Sequence, residues 1–222
     1  TRWNYESYYD FWKLVELSHY PVVYVDEMDT DRYNIAYIIS PMNGEVRPYM
    51  ETRTNRKSKV YMWNLERPGG SGSLEQYKND NERLLQDRIL DGILVSDRAL
   101  AKRMDFHYVP LGSHHLLGMP GELTERFGKC LIHLSCYSPH RNFLFDNPST
   151  LRKRLGEFDV LDNGWGEARH FNLQHASFML NIHQDEFPYI EPLRFSLAAA
   201  YGLPILSEYC YDVYPYNGTH WV

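Results

Sequence analysis

The 222-residue sequence has no run of about 18 apolar residues, so it offers no candidate for a transmembrane helix. It also has no excess of basic charge. Its formal net charge is −6, which argues against a general binder of nucleic acids or anionic membranes. The stretch TRWNYESYYDFW lacks the basic and apolar blocks of a secretory signal.

Cysteine is scarce: there are three, an odd number, and none forms a Cys-x-x-Cys pair. If Cys130 and Cys136 share the strand CLIHLSC, they lie roughly 20 Å apart, which is too far for a disulfide. Reduced thiols fit this pattern better than a disulfide framework. We therefore expect a reducing compartment and a cytoplasmic protein.

Hydrophobic residues make up 43% of the chain and charged residues 23%, so a packed core is expected. Short apolar runs of the strand type alternate with helical patterns from end to end. The predicted strands are PVVYVDE, IAYIIS, SKVYMWNLE, GILVS, FHYVPLG, CLIHLSC, FDVLD, SFMLNIH and PILSE. This alternation predicts an α/β fold of two parallel-sheet, Rossmann-like domains at residues 1–112 and 113–222, divided between Gly112 and Gly128.

Some predicted helices carry recognisable end signals. Ser73 with Gln76 three residues later forms a capping box for a helix from Leu74 to about Arg88. Pro148 and Gly156 are typical of the first turn and the end of a helix. A further helix, from about Ile190 to Tyr201, stops at the Gly-Leu-Pro segment before PILSE.

Ligands of open α/β sheets bind at the carboxyl ends of the strands, so residues directly after strands are the site candidates. His140 and Arg141 follow CLIHLSC and could donate to an oxyanion, although a solvated loop arginine is the alternative. Glu191 and Arg194 occupy the first turn of the helix after SFMLNIH, where a helix N-terminus suits a diphosphate. Glu191 could instead complement the helix dipole, accept from the two hydroxyls of a sugar's vicinal diol, or pair with Arg194, and sequence leaves these alternatives open.

His183 ends a strand and lies near Asp185, but its spacing to His114 and His115 matches no dedicated metal site. We therefore predict no bound metal. The sequence also lacks a nucleophile elbow, a P-loop and a Gly-x-Gly-x-x-Gly fingerprint. The glycine-rich RPGGSGS segment indicates a flexible loop or a mobile lid.

Several of these segments resemble GT-B glycosyltransferases of the group 1, GT4-like kind. The resemblance covers residues 58 to 208, and its most specific part is FMLNIHQDEFPYIEPLRFSLAAAYGLPILSE. DGILVSDRALAKR with FHYVPLGS is similar to the end of the N-terminal domain in that family, and LIHLSCYSPHRN to the first donor-side strand and loop. WNLERP is similar to an acceptor-domain element of compact bacterial and phage relatives.

The resemblance implies two domains facing a cleft and transfer of a sugar, as by a hexosyltransferase, from a nucleotide-diphosphate donor such as a UDP- or GDP-sugar. No cofactor or metal is implied. His140, Arg141, Glu191 and Arg194 would bind the donor, with Glu191 and His183 catalytic. The acceptor, a glycan, lipid, protein or modified nucleobase, would lie against the first domain.

The chain departs from the family at one pair of positions. Many relatives carry two glutamates around the 190–201 helix, and here Tyr189 and Leu197 stand in their places. This departure, with a chain that is short for the fold, motivates the alternative of a non-catalytic GT-B-like module that binds a nucleotide or sugar. A flavodoxin-like or phosphosugar-binding protein is a third interpretation.

Overall fold

The computed structural model describes residues 13, 15–17, 21, 23, 32, 35–40, 47–48, 50–51, 58–68, 73–112, 129–134, 138–142, 146–162 and 167–216. Several predicted features lie wholly or mostly outside these residues. They are the 5–17 helix, the PVVYVDE strand, the glycine-rich loop, His114, His115, Cys136 and the NGWGE loop. The described residues fall into two compact units, and each is described by itself.

The first unit contains a four-stranded parallel sheet in the order β1-β2-β3-β4. Its elements in chain order are β1 (Ile35–Ser40), β2 (Lys59–Asn64), α1 (Leu74–Gln86), β3 (Gly92–Val95), α2 (Arg98–Met104) and β4 (His107–Tyr108). The predicted strand FHYVPLG is shortened to β4. Pro110 lacks the N–H that would continue the strand's hydrogen bonds.

Side-chain caps fix where the two helices of this unit begin. The Ser73 hydroxyl accepts from the Gln76 N–H at 3.1 Å, so the predicted cap of α1 is confirmed. The Asp97 carboxylate accepts from the Leu100 N–H at 2.7 Å and caps α2. Asp105 ends α2 with φ of 58°, a left-handed conformation that aspartate tolerates better than most residues.

The second unit holds another four-stranded parallel sheet, in the order β6-β5-β7-β8. Its elements are β5 (Cys130–Leu134), a 3-10 helix (Pro139–Arg141), α3 (Pro148–Leu155), β6 (Phe158–Asp162), α4 (Glu167–His175), β7 (Phe178–Asn181), α5 (Pro192–Ala200) and β8 (Ile205–Ser207). The central position of β5 and β7 means that the loops after both strands meet at the same edge.

Alternating residues of the second sheet pack on opposite faces. One core contains Leu131 and Met179 together with Leu173 of α4 and Phe195 of α5. The other contains Cys130, Ile132 and Leu180, against which Leu151 and Leu155 of α3 pack. Because side chains alternate between the two faces along each strand, both faces carry apolar residues, and helices pack on each of them.

The predicted fold class, α/β with two parallel-sheet units, is confirmed. Of the described residues, those from 21 to Pro110 belong to the first unit. Those from Leu111 onward belong to the second unit, together with residues 13 and 15–17. Because residues 113–128 are not described, the division at residue 112 stays a prediction. None of the helices in the described part of the chain combines the length and apolar character needed to cross a bilayer.

Candidate functional site

A network of charged side chains lies at the carboxyl edge of the second sheet. It is built from residues that follow β5, β7 and β8 and from the start of α5. This is the edge at which open α/β sheets bind ligands. The sheet order explains the convergence, since β5 and β8 both neighbour β7.

Glu191 and Arg194 form an ion pair at the start of α5. Arg194 Nη1 donates to Glu191 Oε2 at 2.6 Å, and the two side chains are only 6% and 15% exposed. Glu191 is the N-cap residue, but its carboxylate does not cap the helix. Of the roles that sequence left open, pairing between these two residues is the one observed.

Arg141 is the second guanidinium of the network, and it is fully buried. Its Nε and Nη2 atoms donate to the Ile182 carbonyl at 3.2 and 2.8 Å. Nη2 also lies 3.7 Å from Glu191 Oε1, so both arginines face the same carboxylate. The alternative of a solvated loop arginine is wrong, because the 3-10 helix turns this side chain into the protein.

The end of β7 supplies acceptors for Arg194 as well. Arg194 Nη1 donates to Asn181 Oδ1 at 2.5 Å and lies 3.4 Å from the Ile182 carbonyl. Asn181 is itself fixed by donating to Ser207 Oγ of β8 at 2.9 Å. Residues at the end of β7 therefore hold both guanidinium groups in place through contacts within the protein.

His183 links the network to the segment after β8. Its Nε2 lies 3.0 Å from the Tyr209 carbonyl and 3.6 Å from Cys210 Sγ, while Nδ1 lies 3.9 Å from Glu191 Oε2. A carbonyl oxygen can only accept, so Nε2 carries a hydrogen. In neutral His183 the basic nitrogen is then Nδ1, on the side of Glu191.

Glu208, like Asn181, is a member of the network that the sequence analysis does not single out. Its Oε2 accepts from the His183 backbone N–H at 2.6 Å, and His140 Nε2 lies 3.1 Å from Oε1. His140 therefore contacts a carboxylate of the protein, and its binding of a ligand oxyanion stays a prediction. The carboxyl-end rule would have found Glu208, since it directly follows β8.

The structure thus brings together all the predicted site residues: His140, Arg141, His183, Glu191 and Arg194. It adds Asn181 and Glu208, and the contacts given above join the whole set. Two guanidinium groups, two imidazoles and two carboxylates at one sheet edge can bind an anion, accept hydroxyl hydrogens and transfer a proton.

The described residues give little support for metal binding or for a cysteine nucleophile. They contain no group of three or more His, Cys, Asp or Glu side chains arranged to hold a metal ion. Burial raises the pKa of the Cys130 thiol to about 12, so this thiol is protonated and a poor nucleophile at neutral pH. Cys130 and Cys210, the cysteines among the described residues, are both buried.

At the carboxyl edge of the first sheet, the polar side chains described below bond to one another and to the backbone and so support the fold. The Trp63 indole donates to Ser96 Oγ at 2.8 Å, and buried Asn64 donates to buried Asn81 at 3.0 Å. Asn64 also accepts from the Glu66 N–H at 3.0 Å, which fixes the chain after β2. These contacts join the end of β2 to Ser96 after β3 and to Asn81 of α1.

Comparisons with known proteins give structural neighbours only. No protein family and no curated protein matches the sequence. One similar structure is AviGT4, a glycosyltransferase involved in avilamycin A biosynthesis, with a TM-score of 0.35 and 15% identity over 68% of this chain and 65% of that one. Another is the GtfA/B complex bound to UDP and GlcNAc, with a TM-score of 0.33 and 14% identity over 77% and 42%. This chain therefore spans less than two thirds of either neighbour's length.

Proposed function

We propose that this protein is a metal-independent GT-B glycosyltransferase that moves a sugar from a nucleotide-diphosphate donor to an acceptor hydroxyl or amine. The observation that carries the proposal is the convergence of two buried arginines, Arg141 and Arg194, at the N-terminus of α5. Buried guanidinium groups beside a helix N-terminus are suited to binding and stabilising a diphosphate. The resemblance of residues 177–208 to GT4-like donor sites supports the same interpretation.

In the proposed reaction the bond between the sugar C1 and the diphosphate oxygen breaks, and a bond from C1 to the acceptor forms. The electron pair of the broken bond goes to the diphosphate. Arg141 and Arg194, with His140 nearby, stabilise that charge as it develops. The Ile182 carbonyl and Asn181 already hold the two guanidinium groups in place at this edge.

Glu191 and His183 are the proposed catalytic residues. Glu191 positions both arginines beside the donor diphosphate at the start of α5. His183, with its Nε2 hydrogen directed to the Tyr209 carbonyl, offers Nδ1 as the atom that accepts the acceptor's proton. The proposed acceptor is a glycan, lipid, protein or modified nucleobase.

A specific observation favours a second candidate, a non-catalytic module that binds a nucleotide or sugar. The donors of both arginines already contact protein acceptors, namely the Ile182 carbonyl, Asn181 and Glu191. A diphosphate must share or displace these contacts. A module could use the same edge for binding without ever stabilising a leaving group.

Two measurements separate these candidates. Melting temperatures with UDP-, GDP-, CDP- and ADP-sugars test donor binding, because a ligand that binds only the folded state raises the melting temperature. No stabilisation by any of these donors would contradict both candidates. Hydrolysis of the stabilising donor, with EDTA present and without acceptor, supports the enzyme, whereas binding without turnover supports the module.

A further inference from the structure

Glu208 and Tyr209 directly follow β8 and have no role in the reaction proposed above. His183 contacts both residues: its backbone N–H donates to Glu208 Oε2 at 2.6 Å, and its Nε2 donates to the Tyr209 carbonyl at 3.0 Å. The two residues are therefore held at the same edge as Arg141 and Arg194. Their side chains are more exposed than those of Arg141, His183, Glu191 and Arg194.

The Glu208 carboxylate has hydrogen-bonding capacity to spare. An ionised carboxylate offers about four acceptor positions. The described contacts use two hydrogens, one from the His183 backbone and one from His140 Nε2, which lies 3.1 and 3.3 Å from the two oxygens. The side chain is also 30% exposed, so about two acceptor positions are accessible to a ligand.

Glu191 is less suited to that task. Its side chain is 15% exposed, and its two oxygens face Arg194 at 2.6 Å and Arg141 at 3.7 Å. Accepting ligand hydroxyls there would compete with two cations. Of the two carboxylates in the network, Glu208 is the one that can accept from a pair of hydroxyls without breaking an ion pair with arginine.

Tyr209 provides a large aromatic surface next in sequence to this carboxylate. The residue is 73% exposed, yet its ring is supported from behind. It meets the Tyr211 ring edge-to-face at 6.2 Å, and Tyr211 in turn packs at 5.4 Å on buried Tyr189. The Tyr211 N–H donates to the Pro188 carbonyl at 2.8 Å, which anchors the series. A supported ring loses little conformational entropy when a ligand stacks on it.

We propose that Glu208 and Tyr209 form a subsite for a ring that carries a vicinal diol. Glu208 accepts from the two hydroxyls, and Tyr209 stacks on the apolar face of the ring or of the base attached to it. An aromatic surface combined with a few placed polar groups is the usual make-up of small-ligand sites. The proposal rests on the proposed function, in which the ring is either the ribose or the transferred sugar of the donor.

Calorimetric titration of four probes distinguishes these two sources. The probes are UDP-glucose, UDP, 2′,3′-dideoxy-UDP and methyl glucoside. If the ribose occupies the subsite, UDP binds and its dideoxy analogue binds at least about 10-fold more weakly. If the transferred sugar occupies it, the two nucleotides bind alike, and methyl glucoside or the glucose of UDP-glucose supplies the extra affinity.

Substitutions of Glu208 and Tyr209 then test whether these two residues form the subsite. E208Q should weaken the favoured probe by about 10- to 100-fold, because one charged acceptor oxygen is lost. The amide oxygen of this variant can still accept from the His183 N–H, so the fold is expected to hold. Tyr209→Ala should weaken binding by about 5- to 100-fold, and Tyr209→Phe should not. Phe171→Ala removes another exposed aromatic ring of the same unit and serves as the control.

The outcomes separate this inference from the proposed function. Wild-type binding of UDP-glucose with unchanged affinity in both E208Q and Tyr209→Ala would overturn the subsite and leave the function standing. Binding of methyl glucoside alone, lost in E208Q, would support the subsite and count against a nucleotide donor. No saturable heat with any of the four probes, or with the GDP, CDP and ADP counterparts of the nucleotide probes, would overturn both. Tyr209→Ala keeps the test decisive if E208Q does not fold.

Discussion

The ion pair at the start of α5 allows a sharp test of what holds the site together. Glu191 faces two arginines that are almost completely buried, Arg141 and Arg194. Replacing Glu191 with alanine leaves both guanidinium groups in place and removes the carboxylate that they share. Their other described acceptors, the Ile182 carbonyl and Asn181, are neutral and cannot compensate the charge.

The expected cost is large because the two cations are shielded from water. Removing one partner of a buried ion pair destabilises a protein by about 3–5 kcal/mol, since the remaining charge stays uncompensated. E191Q should cost less than E191A, because the amide oxygen can still accept the 2.6 Å hydrogen bond from Arg194. The predicted order of stability is therefore wild type, then E191Q, then E191A.

Urea unfolding of the three proteins measures this order, and hydrogen exchange of the α5 amides reports whether the loss is local. Glu186→Ala, which removes an exposed carboxylate of the preceding loop, is the matched control and should change stability by less than about 0.5 kcal/mol. Added UDP should restore part of the stability of E191A by supplying negative charge to the arginines. A loss below about 1 kcal/mol in E191A would refute the argument that Glu191 compensates buried charge.

Three further predictions concern other residues. Arg194→Ala should weaken binding of a nucleotide-diphosphate sugar by about 1–3 kcal/mol in calorimetry, because one charged contact to phosphate is lost; unchanged affinity would contradict that role. Asp97→Ala should lower the free energy of unfolding by about 0.5–2 kcal/mol in urea, since the Leu100 N–H loses its capping acceptor. Asp105→Asn should lower it less, because asparagine also tolerates the left-handed conformation. For Cys130, burial raises the pKa from 9.0 to about 12, so the folded state holds this proton more tightly, and stability should fall as pH rises above 9. The decline should be shallower in Cys130→Ala, and parallel pH profiles of the two proteins would show that the thiol is not responsible.

Local signals in the sequence predicted most of the elements. The Ser73 cap of α1 depends on residues three apart, and the alternation of strands and helices in the second half depends on short apolar runs. The ends of strands were less predictable because they depend on partners. SFMLNIH was expected to be a strand throughout, yet β7 ends at Asn181, where its side chain bonds to Ser207 and Arg194.

In the site, too, a contact between residues close in sequence could be predicted, whereas contacts between distant segments could not. Glu191 and Arg194 lie one helical turn apart, so their pairing could be foreseen as one alternative. The contacts of His140 with Glu208 and of Arg141 with Ile182 join segments far apart in the chain. Only the strand order β6-β5-β7-β8 brings these segments together, and no local pattern encodes it.

Packed core residues occupy the two positions at which the GT4-like pattern would place glutamates. Leu197 stands at one of those positions, and it is buried in the core formed with Phe195 and Leu203. Tyr189, at the other position, is buried and packs against Tyr211. A carboxylate at either place would lose its hydration without a cation beside it among the described contacts. The carboxylates of this sheet edge instead come from Glu191, at the N-cap of α5, and Glu208, after β8. Under the proposed function, a donor would therefore meet its acidic groups after β8 and at the N-cap of α5 rather than within the helix.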